Sequence, residues 1–198
     1  MFGVFGKKKK IEKINIKVLE CMKLYSDETE KAYRNQISYF KQDYPNEEIQ
    51  VSDYGAYKVR FMTIMMIVMG ARFSKEKIGF SESKDFLRDI QIASAIAHIP
   101  FSDSKSNSYL SKNEISQKTE EIIKYILKTV NGNQQKIIDL NFNEKDDFFK
   151  KIKLFFHNSI SESIENKEIA RKILKSEDHY FSNLAKQNLK IMSDLMKI

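Results

Sequence analysis

The sequence predicts an all-α fold: a single-domain bundle of about seven to eight helices, with the most apolar helix, about residues 53–74, at its centre. Three observations carry this. Apolar residues recur at intervals of three and four along most of the chain, the spacing of one helical face. Turn-formers are sparse, with two prolines and six glycines in 198 residues, whereas an all-β chain needs frequent turns. Ser, Asp and Asn, the residues that cap helices, stand ahead of most of the apolar stripes.

The elements follow in order. Ile11, Ile14, Val18, Met22 and Tyr25 make the stripe of a first helix from about Lys8 to Tyr25. Residues 1–10 ahead of it read as a flexible basic arm, and residues 11–198 as the helical domain. Ser26-Asp27, with Glu30 at capping-box spacing from Asp27, predicts a restart. Tyr33, Ile37, Phe40 and Tyr44 carry the next stripe until Pro45 ends it. Ser52 or Asp53 opens the apolar helix to about Ser74, and one narrow face of it (Ala56, Arg60, Thr63, Gly70, Ser74) is small or polar, as for a close neighbour or solvent. Ser83 caps a helix to about Ile99, stopped by Pro100, and the Ser-rich residues 101–112 form a loop and the one internal boundary. Ser111 and Glu114 open a helix to Val130, closed by Asn131-Gly132-Asn133. A short turn at 134–140, open to a helical reading, follows. Asn143 caps a helix bearing Phe148, Phe149, Ile152, Phe155 and Phe156, which weakens over Asn158 to Ser161. A shorter helix ends near Lys175, and Ser176 caps the last, with Phe181, Leu184, Ala185, Met192 and Leu195 as its stripe.

Charge is distributed unevenly. The net charge is +7, but residues 1–24 alone hold seven lysines against two glutamates, so the rest of the chain is nearly neutral. Lysine outnumbers arginine 29 to 5, which reads as AT-rich bacterial codon usage and argues against specific base reading, the province of arginine. A single cysteine, Cys21, leaves no intrachain disulfide and fits a reducing, cytoplasmic compartment. The lysines follow the first apolar residues, the reverse of a secretory signal, and Phe2 at the second position is not a myristoylation site.

Several residues could carry chemistry, and each has a plainer structural reading. Met62, Met65, Met66 and Met69 share one helical face; thioethers suit Cu(I) or a groove for a partner helix, but methionine more commonly fills a core. His98, His157 and His179 lack metal-ligand spacing. Adjacent carboxylates, Glu120-Glu121 and Asp146-Asp147, point about 100° apart on a helix and form no dyad. Cys21 has Lys17 and Lys23 nearby, yet reads as a buried thiol. Phe148, Phe149, Phe155 and Phe156 could stack on bases, but their spacing is that of a core face. No phosphate loop or nucleophile elbow occurs, and no cofactor is implied.

One feature has an obvious ligand class. Lys7, Lys8, Lys9 and Lys10, joined by Lys13 and Lys17, would attract polyanions, with Phe2 and Phe5 as apolar anchors at an anionic lipid surface. The plainer reading is a solvated terminus. The resulting expectation is a cytoplasmic, non-enzymatic interaction protein, an adaptor or accessory subunit of a bacterial assembly. It would have an unidentified protein partner and peripheral contact with the inner membrane face. The alternatives are a helical enzyme whose site is assembled from scattered histidines and carboxylates, and a non-specific nucleic-acid binder.

Overall fold

Helix formation begins at Phe2 and continues to Asp43, a 42-residue α1. After Gly6 it contains neither proline nor glycine, so nothing interrupts its backbone hydrogen bonds. The computed structural model describes residues 2–49, 53–79, 112–161, 164, 166–176 and 178–198. The further helices among these are α2 (Asp53–Lys77), α3 (Lys112–Val130), α4 (Gln134–Ile138), α5 (Asp147–Ser161), α6 (Lys167–Ser176) and α7 (Asp178–Met196). The fold is all-α, a single bundle with no strand among the described residues. The helix predicted over Ser83 to Ile99, the cap at Ser111 and the Ser-rich loop, apart from Lys112, lie outside those residues.

Two expectations change in α1. Residues 1–10 read as an arm preceding the first helix, but Phe2 to Lys10 are turns of α1 itself. Lysine is a good helix former, and no breaker separates this stretch from the helix that follows. The restart at Ser26-Asp27 is also absent. Ser and Asp cost only about 0.5–0.7 kcal/mol in a helix interior, so without Pro or Gly they do not end one. The apolar stripe hides its own continuity, because its middle member is polar. Thr29 is buried between Met22 and Tyr33, and its hydroxyl donates to the Tyr25 carbonyl oxygen at 2.7 Å. Ile14, Val18, Met22, Thr29, Tyr33, Ile37 and Phe40 therefore form one buried seam.

Past α1, the Tyr44 amide closes the last turn on the Phe40 carbonyl at 2.9 Å, and Pro45 follows. The chain is then pinned to the α5–α6 connection by an isolated antiparallel bridge between the buried residues Ile49 and Ile164.

Helix α2 runs to Lys77, three residues beyond the expected end, and every residue from Phe61 to Ala71 is buried. It packs against α1, α3, α5 and α7, so the most apolar helix is central, as its composition predicts. The narrow small-and-polar face of α2 meets neighbours. The Thr63 hydroxyl lies 3.3 Å from that of Thr29 on α1. At Gly70, a Cβ would stand 2.7 Å from the Met192 carbonyl oxygen on α7.

The remaining boundaries follow local chemistry. Gly132, at φ +78°, takes the left-handed conformation after α3, as the Asn-Gly-Asn sequence predicts. Asn143 does not itself cap α5. Its side chain accepts from the Lys145 amide at 2.8 Å, and Asp146, whose carbonyl accepts the Lys150 amide, stands at the cap. Asn166 caps α6, its side-chain oxygen accepting from the amides of Glu168 and Ile169 at 3.0 and 3.3 Å.

Candidate functional site

The basic stretch is built by the start of α1. Helices α1 and α2 run antiparallel, since Glu30 meets Arg60 while Lys7 approaches Gly79. The Lys7 side chain lies beside Gly79, just past the end of α2, so the first turns of α1 stand at that end of the helix pair. Gly6, Lys7, Lys8, Lys9 and Lys10 are all exposed there. Lys13 and Lys17 continue the exposed lysines, and Lys17 pairs with Glu20 at 3.2 Å. Phe2 and Phe5 belong to α1, but the insertion expected of them falls on side chains outside those described.

One neighbouring feature escapes the sequence reading. Ile16, Leu19 and Leu24 are 53%, 55% and 52% exposed, on the side of α1 turned away from its buried seam. The signal was present, since they fall off the 11-14-18-22-25 spacing, but periodicity reports only the dominant face.

The methionines do not offer an open groove. Met62, Met65, Met66 and Met69 are each 0% exposed, within a core that includes Phe61, Ile64, Phe149 and Phe181. A helix apolar on nearly every side is enclosed on every side, which removes both the partner groove and a solvent-facing thioether site in this form of the chain. Phe148, Phe149 and Phe156 are buried, and Phe155 packs at 5.7 Å from the Tyr125 ring, so these rings do not form a stacking platform.

The titratable residues are dispersed. His157, on α5, packs edge-to-face on Phe181 at 5.3 Å; its Nδ1 is buried and finds no hydrogen-bond partner among the described residues. Burial pushes its pKa down, opposed by Asn158 and Asp178. His179 is exposed on α7, and His98 lies outside the described residues. Cys21 is buried, and burial pushes its thiol pKa up against the pull of Lys17, so it stays protonated and a poor nucleophile. Asp146 accepts from the Asn143 amide at 2.8 Å and pairs with Lys136 at 3.0 Å, which hold its pKa down. Asp147 pairs separately with Lys151, so the two carboxylates act apart. Among the described residues no group of three or more His, Cys, Asp or Glu is placed to hold a metal.

A cluster of charges joins α1 to α2. Arg60, 17% exposed, reaches Asp27 and Glu30, each at 3.2 Å, and Glu30 also takes Arg34 at 2.9 Å. This arrangement fastens two helices. Among the described residues no helix is long and apolar enough to cross a membrane. No protein-family model, curated protein or solved structure matches the chain.

Proposed function

We propose that this is a non-enzymatic interaction protein that docks peripherally on the anionic cytoplasmic face of a membrane through the start of α1. The observation that carries this reading is that Gly6 to Lys10, with four consecutive lysines, are exposed in the first turns of α1. Near an anionic bilayer each such lysine contributes about 1 kcal/mol, within a Debye length of roughly 10 Å. Holding the lysines on a helix fixes their spacing and lowers the ordering cost of docking. Nucleic acid attracts the same charges, but the nearly neutral remainder of the chain and its five arginines favour a surface contact over base reading.

Vesicle sedimentation tests this. The protein should pellet with phosphatidylserine-containing vesicles at low salt, remain in solution with pure phosphatidylcholine, and be released by about 0.5 M salt, where screening is strong. Replacing Lys7 to Lys10 with serine should sharply reduce pelleting. Tight binding to duplex DNA without binding to anionic vesicles would overturn the reading.

A further inference from the structure

We infer that the outward face of α1 around Ile16, Leu19 and Leu24 is an interfacial membrane element, so that α1 lies lengthwise in the headgroup region rather than touching it by its first turns alone. The inference rests on the membrane reading above. Three large aliphatic side chains, each more than half exposed, lie within about 12 Å along one helix. At 100° per residue they span an arc of about 140° centred opposite Val18 and Cys21, which are buried. Exposed Lys9, Lys13 and Lys23 share that arc with the exposed acids Glu12 and Glu20.

The charge pattern selects the occupant. Residues 7–24 carry seven lysines against Glu12 and Glu20, and the acid at position 20 is already held by Lys17. Charged and single aliphatic residues are therefore interspersed along the helix, with lysine in excess. A protein groove would require the apolar side chains in one contiguous patch. An anionic bilayer is planar and continuous, so it accepts scattered apolar side chains while its headgroups meet the lysines between them. Half-exposed Ile and Leu can enter it without breaking any contact of the core, because the buried seam faces the other way.

The chain contains no tryptophan, which gives a direct readout. Leu19→Trp places the only indole on the proposed face, and Leu154→Trp places it on α5 at a site 50% exposed. With phosphatidylserine/phosphatidylcholine vesicles, Leu19→Trp fluorescence should shift to the blue and be quenched by lipids brominated on the acyl chain, while Leu154→Trp should stay unchanged. Replacing Ile16, Leu19 and Leu24 together by Ser should weaken vesicle partitioning about tenfold with an unchanged melting temperature, since exposed sites carry little stability. If the wild-type protein fails to pellet with anionic vesicles at low salt, the membrane reading itself falls. If it pellets while Leu19→Trp shows neither shift nor quenching, docking is electrostatic and confined to the first turns, and the lengthwise arrangement is wrong. Equal responses from both variants would indicate unfolding on the lipid and overturn it as well.

Discussion

His157 is a residue whose ionisation the fold resists. Its ring lies against Phe181 at 5.3 Å, and the buried Nδ1 has no acceptor among the described residues to receive a proton's hydrogen bond. The charged groups acting on it oppose each other: Asp178 favours the imidazolium, Lys153 disfavours it, and Lys153 and Asp178 pair at 2.8 Å. Burial is the largest influence and lowers the pKa below its ordinary value of 6.5. The unfolded chain therefore takes up the proton first as the pH falls. The contribution of His157 to stability should be constant above about pH 7 and decline as the pH drops through 6.5 towards the lower folded value. Asp146 and Glu144 also lose stabilising pairs in acid, but their pKa values lie below 3.8 and 4.5, outside this window. Urea unfolding at pH 7.5 and 5.5 should thus show a fall in midpoint for the wild type, and His157→Gln should flatten it. An equal slope in the variant would assign the effect to another group.

At the scale of elements, the close approach of α2 to α7 is set by the absence of a side chain. A Cβ on Gly70 would meet the Met192 carbonyl oxygen at 2.7 Å, the Leu195 Cβ at 3.0 Å and the Met192 Cα at 3.2 Å. The obstacles are mostly backbone and cannot rotate away. Gly70→Ala gains about 1 kcal/mol of helix propensity, but forcing two packed helices apart costs more, so we expect a net loss of about 1–3 kcal/mol. Thermal unfolding should show a melting temperature lower by about 3–10 °C; a rise would mean that the helices have room to spare. In the sequence Gly70 is legible only as a small residue on a narrow face, because nothing local states which neighbour comes close. The same limit explains the other differences. Stripes that are apolar throughout, such as Phe148-Phe149-Ile152-Phe156, can be read directly, and they lie buried. The seam of α1 passes through Thr29, whose burial depends on Thr63 on another helix, so the sequence reads as two helices where there is one. The methionine face of α2 is apolar whether or not a neighbour covers it, and only tertiary structure shows it enclosed.

At the scale of the whole molecule, charge and stability are separated along α1. The core gathers on α2, and among the described side chains of α1 the first fully within it is Ile14, whereas Gly6 to Lys10 are exposed. That separation was legible in the sequence as charge, because four adjacent lysines cannot be buried together. The helical conformation of the residues before Lys8 was not, since it depends on continuity with a long helix nucleated further along. Removing residues 2–10 should therefore act on binding alone. It lowers the net charge from +7 to +3 and removes no side chain known to be buried. The helix would then start at Ile11, with Glu12 in its first turn, a placement the helix dipole favours. We expect the melting temperature to change by no more than about 2 °C, within the usual range for surface changes. Sedimentation with anionic vesicles at low salt should fall sharply, and the residual binding should depend less on salt because fewer charges remain to be screened. A loss of several degrees would show that the first turns of α1 are part of the folded core, and their lysines would then be structural as well as available to an anionic surface.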